Sequence, residues 1–173
     1  MANLGITKYG NPVLRKVAEP VNEINDEIKK IVNDMLDTMY ASEGVGIAAP
    51  QIGVSKRIII IDTNPEDASV KPLIIINPEI VEASGEIKEQ EGCLSIPDVR
   101  SEVKRYEHVV VEGLDLEGNK IRVEGTDLLA RALQHEIDHI NGKLFIDHIS
   151  KLKQQLIKNQ LRKIEQENKE VKG

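Results

Sequence analysis

Apolar side chains at Ile28, Ile31, Val32, Met35, Leu36 and Met39 fall at i, i+3, i+4, i+7, i+8 and i+11. That spacing predicts a helix over 25–41 with one apolar face. Asn25 can cap it, Asp26 and Glu27 suit the positive end of its dipole, and it should stop near Gly44. The β-branched runs at 57–62 and 73–76 predict buried strands. Asn77-Pro78 predicts a break after the second run, and Ile80-Val81 a further short segment. Another strand starts at Val109. Leu114, Leu116, Ile121 and Val123 then alternate with charged residues around Glu117-Gly118-Asn119, a hairpin with one wet face. Residues 127–141 are predicted helical, with Thr126 as cap and Gly142 as terminator. A last helix covers 150–170, with Ser150 as cap. Strands do not alternate with helices, so the pattern is α+β rather than a doubly wound sheet.

Composition narrows the choice. The chain of 173 residues is 40% hydrophobic but only 2% aromatic, with no Trp, so its core is aliphatic and it is a poor base-stacking module. A net charge of −6 argues against a surface that coats nucleic acid. The longest Ile run, Ile58–Ile61, is far short of a membrane span, and Met1-Ala2-Asn3-Leu4 shows no signal-peptide pattern. One cysteine, Cys93, excludes an internal disulfide framework and fits a reducing, cytoplasmic setting.

Chemistry concentrates in His135-Glu136-Ile137-Asp138-His139. Two His at i and i+4 share a helical face, so both rings can bind one cation, and the Glu beside the first can reach a water there. In a shuffled chain of this composition such a motif arises with a chance of roughly 0.01. At about 100° per residue, Leu128, Leu129, Ala132, Leu133 and Ile140 define an arc of roughly 140°. His135, Glu136 and His139 lie in or beside that arc, whereas Arg131, Gln134, Asp138 and Asn141 lie outside it. Three ionisable groups on an inward face need partners, and a cation with its water supplies them. Hydrogen-bonded core histidines are the plainer alternative.

A third ligand is required. The position used by one extended form of the motif holds Phe145, which cannot ligate. Glu165 and Glu167 lie downstream in a charged helix, and Asp147 and His148 are formal candidates. Cys93 is the better one. It sits in a turn-rich segment between Gly92 and Pro97, and a Cys/His/His set leaves one coordination position open for catalysis. Gly44-x-Gly46-x-x-Ala49 imitates a dinucleotide fingerprint, but it follows a helix and feeds a strand, so that reading fails. The small residues instead allow a close backbone approach, and Gln51 can donate to a developing oxyanion.

Together, GVGIAAPQIG at 44–53, EGCLS at 91–95 and QHEIDHING at 134–142 resemble the peptide deformylases. The resemblance spans nearly the whole chain. It implies an α+β fold of short antiparallel or mixed strands around a central helix bearing the His-Glu-x-x-His motif, closed by a C-terminal helix. It implies a hydrolase that removes formyl from the N-terminal formyl-methionine of nascent polypeptides and releases formate. By resemblance Cys93, His135 and His139 bind the metal, with Fe²⁺ native and zinc, nickel or cobalt able to occupy the site. Glu136 is the general base and then acid, Gln51 and the Leu94 backbone N–H polarise the formyl oxygen, and Gly46 contacts the substrate. Val45, Ile47, Leu128 and Ala132 are candidates for an apolar pocket that takes the Met side chain. The expected organisation is a catalytic unit at 1–149 and a C-terminal helix at 150–173. That helix carries seven basic and three acidic residues, which with the resemblance points to docking on the ribosome.

Overall fold

The computed structural model describes residues 5–172, with side chains through 167. The strands are β1 (Gly46–Ala48), β2 (Ile58–Ile61), β3 (Leu73–Ser84), β4 (Ile87–Cys93), β5 (Ile96–Arg105), β6 (His108–Leu114) and β7 (Lys120–Thr126). The helices are α1 (Asp26–Ala41), α2 (Asp127–Ile140), α3 (Lys151–Leu156) and α4 (Lys158–Lys172). Five strands form an antiparallel sheet in the order β1-β2-β3-β6-β7, and β4 and β5 pair separately as a hairpin. The class is α+β.

Four consecutive isoleucines make β2 because both faces of the sheet are covered there. Ile58 and Ile60 join α1 residues Val32, Met35 and Met39 in one core cluster. Ile59 and Ile61 face the other way, into a cluster with Ala130, Leu133, Ile137 and Ile140 of α2. A third cluster joins Ile96, Val99 and Val103 of β5 to Leu144, Phe145, Ile146, Ile149 and Ile164. Thus α2 has the main sheet on one side and the hairpin on the other.

Several expectations change in detail. Helix α1 keeps its expected cap and end: Asn25 accepts from the Ile28 N–H, and the helix stops at Ala41, three residues before Gly44. Asn77-Pro78 does not end β3. The strand runs on to Ser84 through a register shift, with Asn77 at φ 55°, so the break is absorbed as a bulge. Thr126 occupies the cap position of α2, yet its side chain makes no capping bond. Gly142 terminates α2 at φ +76°, where a Cβ would lie 2.6 Å from the Arg15 carbonyl oxygen. The final helix is two, α3 and α4, divided at Ile157, with the Ser150 hydroxyl accepting from the Lys153 N–H.

The helical wheel also needs correction. Helical periodicity puts Arg131 and Gln134 on the outer face, yet both are buried, and it puts Leu128 inward, yet Leu128 is 51% exposed. The hairpin covers the side of α2 opposite the main sheet, and its polar groups match those of the helix. Arg131 donates to Glu91 at 2.6 Å, and the Gln134 amide bonds both the N–H and the C=O of Tyr106. Among the described residues no helix is long and apolar enough to cross a membrane.

Candidate metal centre

Cys93 ends β4, beside the tight turn that leads into β5 at Ile96. His135 and His139 project from α2 one turn apart. Cys93 Sγ lies 3.3 Å from His139 Nε2, and that atom lies 3.2 Å from His135 Nε2. One ligand atom from each residue falls within 4.8 Å of the others. Tetrahedral ligation with about 2.05 Å to nitrogen and 2.3 Å to sulfur would need N···N and N···S edges of about 3.4 and 3.6 Å. The two edges at His139 are within a few tenths of an ångström of these values, and the Cys93–His135 edge is no longer than 4.8 Å, so the donor set suits a single cation. Three of the other formal ligands have partners elsewhere, and Glu167 is exposed outside the group that could hold a metal. Asp147 pairs with Arg15 at 2.7 Å, His148 bonds Asp138 at 2.8 Å, and Glu165 packs against Gly10.

Glu136 is 5% exposed, and its Oε1 has no hydrogen-bond partner, a state shared among buried side chains only by His139 Nδ1 within the described residues. A buried carboxylate oxygen without a donor is costly, and it marks where a proton-bearing molecule belongs. Burial pushes the Glu136 carboxyl above its usual range, although the charges of His135 and His139 oppose this. Burial also resists ionisation of the Cys93 thiol. The charge of His139 and hydrogen bonds from both imidazoles overcome that resistance and hold it well below the usual thiol range, which favours the thiolate a metal needs.

Gln51 is 2% exposed, in the 3-10 turn Ala49–Ile52 that follows β1. Its Oε1 accepts from the Ala48 N–H at 3.0 Å, which fixes the amide orientation. Its Nε2 then faces Ser95 Oγ at 3.2 Å and Cys93 Sγ at 3.7 Å. Gly46 in β1 touches Glu136 so closely that a Cβ there would lie 2.6 Å from Oε2. Cys93, Leu94, Gln51, Gly46, His135 and Glu136 all line one cavity of about 730 Å³. Val45, Leu128 and Ala132 line it too, whereas Ile47 is fully buried in the core against α1. The arrangement can hold a cation and a water, accept a proton at Glu136, and offer an amide donor to a carbonyl oxygen.

A model of the family described as polypeptide deformylase matches residues 3–155. The chain belongs to the polypeptide deformylase family. Among its relatives, the peptide deformylase of Thermodesulfovibrio yellowstonii is 49% identical over 94% of this chain and 98% of its own length. That of Acidobacterium capsulatum is 47% identical over 92% and 94%. The crystal structure of a peptide deformylase from Legionella pneumophila superposes with a TM-score of 0.89 at 44% identity, covering 95% of this chain and 96% of that one. A peptide deformylase from Synechococcus elongatus, solved in complex with actinonin, gives 0.85 at 41% identity, covering 95% and 86%. The protein is an enzyme, a hydrolase that removes the formyl group from the N-terminal methionine of nascent polypeptides, and its family is metal-dependent.

Sequence reasoning missed a charged cluster behind the two histidines. Glu91, Arg105 and Arg131 are each under 9% exposed, and both arginines bond Glu91. Burial opposes the Glu91 charge, but hydrogen bonds from His135 and Arg105 outweigh it and hold the carboxyl down at about 2. The signal was present. Val99, Ser101, Val103 and Arg105 are buried and alternate with exposed Arg100, Glu102 and Lys104, a strand period in a segment assigned no element from the sequence.

Proposed function

We propose that Cys93, His135 and His139 hold one divalent cation, and that Glu136, Gln51, the Leu94 N–H and Gly46 carry deformylation around it. What supports this most is the convergence of a thiol and two imidazole Nε2 atoms beside a buried, unpartnered carboxylate oxygen. When bound, the cation supplies Lewis-acid activation of a water and of the formyl carbonyl. Glu136 takes one proton from the water as its oxygen adds to the formyl carbon. Gln51 Nε2 and the Leu94 N–H donate to the oxygen that gains negative charge. Glu136 then returns the proton to the amine nitrogen, the C–N bond breaks, and formate and a free methionine amine leave. Gly46 offers its backbone to the substrate, and Val45, Leu128 and Ala132 give the Met side chain an apolar wall.

Fe²⁺ is the proposed native metal, with zinc, nickel or cobalt as substitutes; the mixed thiolate and imidazole set is compatible with all of them. The proposed organisation is a catalytic unit over 1–149, built around the helix that bears the motif, with 150–173 packed on it. A cytoplasmic location is proposed with it. The exposed basic residues of α3 and α4 are proposed to dock on the ribosome. Because Ile164 is buried against β5, charge reversal at Lys151, Lys153 and Lys158 tests docking better than truncation. Unchanged cosedimentation of that variant at low salt refutes docking.

The decisive activity experiment measures bound metal and formate release from formyl-Met-Ala. Glu136→Gln should keep the metal and lose most turnover. Wild-type rates in that variant would mean that another group moves the proton.

A further inference from the structure

We propose that Glu91 is a positioning residue for the metal centre, fixing the His135 ring so that Nε2 faces the cation and holding the Cys93 hairpin against α2. This rests on the reading above that Cys93, His135 and His139 bind a metal.

The β4–β5 hairpin shares no hydrogen-bonded edge with the five-stranded sheet. Its register against α2 is therefore set by side chains. Glu91 and Cys93 are two residues apart on β4, so their side chains leave the same face. Arg131, His135 and Asp138 stand at i, i+4 and i+7 on α2, one face of the helix. The Glu91 carboxylate joins the two elements. Its Oε1 accepts from His135 Nδ1 at 3.1 Å and from Arg105 Nη2 at 2.9 Å. Its Oε2 accepts from Arg105 Nε at 3.0 Å and Arg131 Nη2 at 2.6 Å. Four donors fill the roughly four lone-pair sites of a carboxylate, so it cannot turn without losing a charge-assisted bond.

The consequence falls on His135. With the proton on Nδ1, a neutral imidazole keeps its lone pair on Nε2, the atom that meets His139 Nε2 at 3.2 Å. Arg105 also donates to the half-buried Asp138 at 2.6 Å, so the guanidinium groups of Arg105 and Arg131 meet the carboxylates of Glu91 and Asp138. His139 has no comparable anchor, since its Nδ1 is without a partner among the described residues. The two rings are held unequally, and Glu91 secures only the first.

A purely structural ion pair would also bury Glu91 between two arginines, so the test reads metal binding as well as stability. In full-length Glu91→Gln, the zinc dissociation constant, measured by competition with a chelator, should rise roughly 10- to 100-fold. The visible spectrum of the cobalt-substituted variant should shift as the ligand field loosens. Unchanged zinc affinity and cobalt spectrum, with only a lower melting temperature, would reduce Glu91 to a structural role and overturn the proposal. Should that variant fail to fold, ¹⁵N NMR of zinc-loaded wild type decides instead. The proposal requires His135 ligated through Nε2 with a proton on Nδ1, and ligation through Nδ1 overturns it. Failure of the underlying reading looks different: wild type would take up no metal, or Cys93→Ala would bind it as tightly as wild type.

Discussion

Gly46→Ala is the sharpest perturbation available, because one methyl group tests the contact between β1 and the proposed base. The Cβ would lie 2.6 Å from Glu136 Oε2, 3.1 Å from Cδ and 3.2 Å from Cγ. Carbon and oxygen do not approach so closely without bonding, so something must give. If the backbone yields, overpacking a buried site costs about 1–3 kcal/mol. At roughly 2–4 °C per kcal/mol for a chain of this size, the melting temperature falls by several degrees. If the carboxylate swings aside instead, stability is spared but the base is displaced by about 1 Å, which can cost on the order of 100-fold in rate. Metal content should match wild type in either case, because no ligand is touched. The assay pairs thermal melting with kcat and KM on formyl-Met-Ala at verified metal loading. A variant with wild-type melting temperature and kcat within twofold of wild type would refute the close contact and, with it, the assigned reach of Glu136.

Other outcomes follow from the same geometry. Gln51→Leu removes a donor held toward the site by Ala48, so kcat should drop about 100- to 1,000-fold with a smaller change in KM; steady-state kinetics on formyl-Met-Ala checks this, and a change confined to KM would contradict it. Tyr40 donates to Asp62 at 2.7 Å, and burial, that hydrogen bond and the Asp62 charge push its pKa up to about 12. A folded pKa raised above the unfolded value near 10 means that this stability is complete below pH 10 and is lost as the pH rises toward 12. Alkaline denaturation should therefore be shallower over that range in Tyr40→Phe than in wild type, and identical slopes would argue that Tyr40 is not coupled to Asp62.

How much of this was legible in the sequence depended on the kind of signal each segment carried. Helix α1 was readable because Ile28 to Met39 face one core while Glu27, Lys29, Lys30 and Asn33 stay exposed. The β6–β7 hairpin was readable because Glu117-Gly118-Asn119 punctuates a clear alternation. Helix α2 was found, but its wheel misplaced Arg131 and Gln134 because polarity was equated with exposure. Their burial depends on partners on β4 and after β5 that are distant in the chain and cannot be inferred from helical periodicity. The Asn77-Pro78 break failed for a related reason, since a bulge lets a long strand carry a residue at positive φ. Cys93 stood out as the only thiol, whereas Glu91 was one acidic residue among many. What distinguishes it is the four donors that the fold brings around it.

Deformylation by this chain depends on one cation gripped by sulfur from the hairpin and two imidazoles from α2. X-ray absorption spectroscopy on the metal-loaded, full-length protein reads that shell itself. One sulfur at about 2.3 Å and two imidazole nitrogens at about 2.0–2.1 Å are expected, with the sulfur shell lost in Cys93→Ala. A first shell made only of nitrogen and oxygen, unchanged by that substitution, would contradict it.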